Sequence, residues 1–314
     1  MSSLSPRERL LRVLNSQPVD RPPVICTGGM MNAAIVQIMN QTGNTLPAAH
    51  HQGELMAALA GDISDHTGFE NLGIPFCMTV EAEVLGSDIN YGTLSCEPKI
   101  EFEAFSSASS VKFREIKAML ASGRIPEVLQ AARHLSGNHL DLPVIGNLTG
   151  PISTAASLIE PGTFLKSLHK EKSSAHRVVD YVSDLLIALA GRMIDHGVTL
   201  ISIGDPTATG EILGPRMFKE FALPYLNKIA DRIHGFGAPV IVHICGRLRA
   251  VKSFIPELHA NAISTDALVN LKHLKEEFPG LKVMGNVSTY MLEQGDTRKI
   301  AAYTRGLIRD GIDI

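Results

Sequence analysis

Short apolar runs recur along the chain, and each is followed by a stretch with helical spacing. The strand-like runs lie at 24–27, 73–76, 142–147, 200–205, 239–243, 262–266 and 281–286. They are apolar at successive positions, as in parallel strands covered on both faces by helices. Apolar residues at 218, 221, 222, 225, 226 and 229 predict a helix over 218–233, with Pro215 just before it, where a missing N–H costs little. A further helix is predicted over 298–310, with Gly311 as its stop. Residues 78–110 are less regular, with Gly86, Gly92 and Cys96-Glu97-Pro98, and read as an excursion or hairpin. This alternation, with no central linker, predicts one α/β domain over 1–314, a (β/α)8 TIM-type barrel. A doubly wound sheet is the alternative, but no Gly-x-Gly-x-x-Gly or phosphate loop follows a first strand. Gly311-Ile312-Asp313-Ile314 reads as the start of an eighth strand, so the barrel is expected to lack its last strand and closing helix in this chain.

Composition narrows the class. Hydrophobic residues make up 45% and charged residues 19% of 314, ample for a large core. The formal net charge of -3, without a basic block, points away from nucleic acid. Four scattered cysteines make no secreted disulfide framework, and the N-terminus has no apolar signal core. No apolar run approaches the roughly 18–20 residues that span a bilayer. A soluble, cytoplasmic protein without membrane partners is expected.

The run Val240-Ile241-Val242-His243-Ile244-Cys245-Gly246 carries the most chemistry. Residues i and i+2 of a strand face the same way, so His243 and Cys245 would project side by side as two soft ligands of a zinc site would. A hydrogen-bonded core histidine beside a buried thiol explains the same spacing. Asp205, Asn147 and Asn286 sit at other strand ends, where they could line a pocket, donate to a substrate anion or orient ligands. For Asp205 a turn before Pro206 is the plainer role. Glu81 is read as pocket-lining or as a surface carboxylate. Cys26 reads as a small buried hydrophobe, Cys77 and Cys96 as structural, and His50 and His51 as surface residues.

Several motifs together resemble the uroporphyrinogen decarboxylase family. They are Pro18-Val19-Asp20-Arg21-Pro22-Pro23-Val24, Asn147-Leu148-Thr149-Gly150-Pro151, Asp205-Pro206 with Pro215-Arg216-Met217-Phe218, the His243 segment, and Gly285-Asn286-Val287-Ser288. Gly73-Ile74-Pro75-Phe76-Cys77-Met78-Thr79-Val80-Glu81-Ala82-Glu83 and His243-Ile244-Cys245 are similar to the branch that methylates coenzyme M from methylated corrinoids. The resemblance implies zinc at the C-terminal mouth, held by His243, Cys245 and a third Cys on the eighth strand. That third Cys lies beyond anything matched here. The resemblance also aligns Asp266 with an acidic residue that can fill the fourth position; an N-cap or loop carboxylate is its other reading. Where the decarboxylases carry an Arg-rich segment, Thr27-Gly28-Gly29-Met30-Met31 has no positive charge, which disfavours porphyrin decarboxylation.

The implied function is a zinc-dependent methyltransferase, with a methylcorrinoid protein as donor partner and a small thiol as acceptor. A free alkyl thiol with pKa near ~8.5 is mostly protonated at neutral pH, and zinc would hold it as the nucleophilic thiolate. A metal-free decarboxylase-like lyase and a non-catalytic corrinoid-protein-binding module are the alternatives. Two secure ligands hold zinc poorly. The expectation is therefore an empty site or one completed by Asp266 and water, or a natural protein that continues for roughly 25 residues, one βα unit, and supplies the Cys.

Overall fold

The computed structural model describes residues 4–27 and 35–314. Positions Gly28 to Met31 of the uncharged segment lie outside the described residues. Six parallel strands form the main sheet: β1 (Leu72–Ile74), β4 (Val144–Thr149), β5 (Leu200–Gly204), β6 (Val240–Ile244), β7 (Ala262–Thr265) and β8 (Val283–Met284), in the order β1-β4-β5-β6-β7-β8. Parallel neighbours need crossover helices. The helix Lys172–Asp195 connects β4 to β5 and buries Val178, Val182, Leu185 and Leu189. The helix Leu223–Gly235 connects β5 to β6 and buries Leu226, Ile229 and Ile233. The excursion opens with the helix Val80–Leu85 and continues as an antiparallel pair, β2 (Asp88–Asn90) and β3 (Lys99–Phe102).

The apolar interior is in two parts. A large cluster lies between the sheet and its helices. A smaller one gathers Ile25, Ile145, Leu200, Ile241, Ala262 and Met284 with Leu10 and Leu14 of the helix Pro6–Leu14, and Ile314 packs against it. Ile25, from the segment beside the β1 edge, meets Met284 of the opposite edge strand β8 in this second cluster, so the sheet curls around it and the first helix forms its floor. Arg9, 2% exposed, anchors that helix through two bonds to Asp20 (2.7 and 2.9 Å), one to Glu70 (2.9 Å) and one to the Leu4 carbonyl (2.8 Å). The Asp20-Arg21 motif is thus part of an ion network, since Arg21 also pairs with Glu70.

The structure corrects several expectations. Residues 24–27 make no strand ladder. Pro22 and Pro23 offer no N–H, and side chains stand in for the neighbouring backbone: Cys26 N–H donates to Asn71 Oδ1 (2.8 Å) and Asn71 Nδ2 donates to the Cys26 carbonyl (2.9 Å). A side-chain amide presents the same donor and acceptor as a peptide group. At the other edge Ile314 N–H donates to the Val283 carbonyl (3.3 Å) and Gly285 N–H to the Ile314 carbonyl (3.1 Å), the beginning of a further pairing. Among the described residues no ladder joins the two edges, so the expected barrel is observed only as far as the curled parallel sheet. The helix predicted over 218–233 begins earlier, at Gly214–Met217, and passes through a π-turn at Phe218–Ala222. The late helix runs Thr297–Arg309, close to expectation.

His50 is not a surface residue. It lies in the 3-10 turn Ala48–His50, 1% exposed, with neither ring nitrogen hydrogen-bonded. Burial, then the charges of Arg124 and His51, push its pKa down to about 3, so it stays neutral. His51 is exposed as expected. Cys26 and Cys77 are buried, whereas Cys96 is exposed and has no core role.

Candidate metal centre

β6 ends in His243-Ile244, with Cys245 the next residue, and the strand's other four residues, Val240, Ile241, Val242 and Ile244, are buried. His243 breaks this run because it shares the inward face with Ile241, two residues along. Its partner across the ladder is Ser264 on β7. Nδ1 of His243 lies 2.9 Å from Ser264 Oγ, which fixes the ring and leaves Nε2 3.5 Å from Asp266 Oδ1. Asp266 follows β7, and its Oδ2 accepts the Gly246 N–H at 2.5 Å. Each of His243, Cys245 and Asp266 offers one donor atom, and these atoms all lie within 4.8 Å of one another.

Burial alone would lower the pKa of His243. The hydrogen bonds and charges of Asp266 and Cys245 outweigh it and raise the pKa to about 9. Asp266 is held below its ordinary value by the hydrogen bond from His243, against a partial burial that works the other way, with help from the Gly246 N–H. These neighbours therefore favour the charged form of the His243 ring. An imidazole with its second nitrogen anchored, a thiol and a carboxylate at this separation fit a zinc ion in donor type.

The remaining predicted residues sit elsewhere and are bonded to protein. Asn286 donates through Nδ2 to the carbonyls of Asp266 and Val269, both at 2.7 Å, and accepts from the Tyr303 hydroxyl at 3.0 Å. Both its amide hydrogens are used in holding the loop that carries Asp266. Asn147 donates to the Ile74 carbonyl (3.2 Å), tying β4 to β1.

Glu81 is 2% exposed, which excludes the surface reading. Its carboxylate accepts the Thr149 N–H (2.9 Å) and hydroxyl (3.2 Å), and burial raises its pKa despite these bonds. Asp205 is fully buried and caps the helix Pro151–Ala156, accepting from Ile152 N–H (3.0 Å), Ser153 N–H (2.9 Å) and Ser153 Oγ (2.6 Å). Gly150 precedes that helix because a Cβ there would lie 2.3 Å from Asp205 Cβ. Burial pushes the Asp205 pKa up to about 6 against the lowering effect of these hydrogen bonds. Thr149 and Ser153, the partners of Glu81 and Asp205, line a cavity of about 260 Å³ with Met78, Ile100 and Thr207. Both carboxylates thus brace the wall of this cavity from behind.

Ser264 and Glu211, the latter an acceptor for the Arg247 N–H at 3.1 Å, were not singled out from the sequence. Ser264 had a signal, since it precedes Asp266 by two residues on an apolar strand. Glu211 had none, because its contact depends on how two loops fold.

A family model described as uroporphyrinogen decarboxylase (URO-D) matches residues 5–314. The chain belongs to this family. Among its relatives, the methylcobamide:CoM methyltransferase MtbA of Methanosarcina acetivorans is 31% identical over 317 residues, covering 100% of this chain and 92% of that protein. The methylcobamide:CoM methyltransferase MtaA of Methanosarcina barkeri is 30% identical over 319 residues with the same coverage. A uroporphyrinogen decarboxylase of Anaeromyxobacter is 25% identical over 311 residues, covering 90% of this chain and 84% of its own length. A solved methyltransferase from Methanosarcina mazei superposes with a TM-score of 0.91 at 29% identity, over 99% of this chain and 92% of that one. The resemblance read from the motifs, to the family and to its methyltransferase branch, is borne out.

Proposed function

We propose that this chain is a zinc-dependent methyltransferase that moves a methyl group from a methylated corrinoid protein to a small thiol such as coenzyme M. The observation that carries this reading is the convergence of His243, Cys245 and Asp266 within 4.8 Å, in a chain 31% identical along its whole length to a methylcobamide:CoM methyltransferase. The donors stand at or just past the C-terminal ends of β6 and β7, the end at which α/β barrels carry their active sites. The curled sheet, its floor helix and the edge pairing at Ile314 support a (β/α)8 barrel as the scaffold.

Zinc bound here would act as a Lewis acid that keeps a substrate sulfur deprotonated at neutral pH. The protein's own part is to hold and orient. Ser264 sets the ring plane of His243, and the Gly246 N–H restrains one oxygen of Asp266 while the other faces His243. With zinc bound, the Cys245 sulfur and the Asp266 carboxylate as donors would keep the site electron-rich, which favours a nucleophilic substrate sulfur.

The test is a methyl-transfer assay with zinc-loaded protein, methylcobalamin as donor and a panel of thiols that includes coenzyme M. Thiol-dependent loss of the methylcobalamin absorbance, with a methylated thiol as product, is expected. Absence of transfer to every thiol by protein shown to contain zinc would overturn the proposal.

A further inference from the structure

The turn that carries Cys245 out of β6 is gripped by two carboxylates from opposite sides. The Gly246 N–H donates to Asp266 Oδ2 at 2.5 Å, from the loop after β7. The next N–H, of Arg247, donates to Glu211 Oε2 at 3.1 Å, from the loop after β5. Gly246 has φ +70°, a left-handed conformation that glycine adopts without penalty. A Cβ at Gly246 would lie 2.3 Å from Glu211 Oε2, so the glycine also gives that carboxylate room to reach the turn.

The two carboxylates differ in what else they do. Asp266 is shared: its other oxygen faces His243 at 3.5 Å. Any movement of Asp266 toward or away from a metal loosens its hold on the Gly246 N–H. Glu211 has no such second role, for among the described residues its carboxylate makes no ion pair and its hydrogen bond is to this turn alone.

We propose that Glu211 is a positioning residue for Cys245. Its bond to the Arg247 N–H keeps the turn, and with it the sulfur, facing His243 whether or not Asp266 is engaged. This inference rests on the reading of His243, Cys245 and Asp266 as a metal centre. It goes beyond that reading in assigning a role to a residue that touches neither metal nor substrate.

The experiment measures zinc affinity by competition with a chromophoric chelator, and the thiolate-to-metal charge-transfer band after cobalt(II) substitution. It uses the full chain as wild type, Glu211→Ala, Glu211→Gln and Cys245→Ala, with a thermal melt for each. Glu211→Ala is expected to weaken zinc binding roughly ten- to hundredfold, as removal of outer partners of a metal site does, and to shift the cobalt band. Its melting temperature without metal should match the wild type. Glu211→Gln keeps a carbonyl oxygen for the Arg247 N–H and should restore most of the affinity and the band. Wild-type affinity and spectrum in Glu211→Ala, alongside their loss in Cys245→Ala, would overturn the role of Glu211 and leave the metal centre standing. A glutamine variant as impaired as the alanine one would also overturn it. A wild-type protein that binds neither metal would remove the metal centre itself, and this inference with it.

Discussion

His243 is one polar residue among buried hydrophobics, and an imidazole is kept on such a strand only if its nitrogens are satisfied. Ser264 satisfies one nitrogen and the Asp266–Cys245 side faces the other. The juxtaposition of His243 and Cys245 was legible because strand geometry puts i and i+2 on one face, whereas Asp266 was singled out only through the family resemblance, with an N-cap or loop role as its other reading. The bonding partners of Asn147, Asn286 and Glu81 were not legible. Asn147 lies inside β4, Asn286 just past β8 and Glu81 in the excursion after β1, and each makes side-chain bonds to protein partners that only register and loop conformation reveal. The sulfurs offer a direct test. Cys245→Ala should remove a soft donor and most of the zinc affinity, whereas Cys26→Ala, at a site buried beneath the sheet edge, should leave it intact. Metal analysis after dialysis reads the difference. Equal loss in both variants would mean that the wrong sulfur has been assigned.

Among the elements, the parallel strands were the most legible part of the chain, since runs such as Val144–Thr149 are buried at every position and carry an unambiguous pattern. The edges were not, because pairing there passes through Asn71's side chain at one end and through Ile314's backbone at the other. The helix Pro151–Ala156 depends on Asp205, whose carboxylate takes the N–H groups of Ile152 and Ser153. Its pKa of about 6 lies above the ordinary 3.8, so between these pH values the folded protein holds a proton that the unfolded chain releases. Stability from this group is therefore greatest at low pH and falls as pH rises through that window, by on the order of 2–3 kcal/mol in all. Asp205→Asn should abolish this component. Urea unfolding of both proteins from pH 4 to pH 7 checks it: the wild type should lose stability relative to the variant as pH rises to about 6, then run parallel to it. A constant difference across the range would show that Asp205 is ionised throughout.

At the scale of the whole molecule, the inner cluster joins parts of the chain that are far apart in sequence. Leu10 and Leu14 come from the first helix, Ile145, Leu200 and Ile241 from three central strands, and Met284 and Ile314 from the last segments. The barrel expectation foresaw strands around a common interior, but not that the N-terminal helix closes its floor, because an amphipathic helix of nine residues says nothing about which face of a sheet it will meet. The Arg9 network makes this floor more than a loose plug, since its carboxylates come from both sides of residues 22–27. Removing a floor side chain should therefore be felt globally. Leu10, fully buried, when cut to alanine leaves a cavity that the surrounding strands cannot close, and a cost of about 2–5 kcal/mol is expected. The loss should appear as a lower denaturation midpoint with one cooperative transition by far-UV circular dichroism and by hydrogen exchange of β4–β6. If the floor were only a local attachment, the variant would instead fray at residues 4–14, with strand amides as protected as in the wild type and the midpoint unmoved. That outcome would separate the first helix from the scaffold that supports His243 and Asp266.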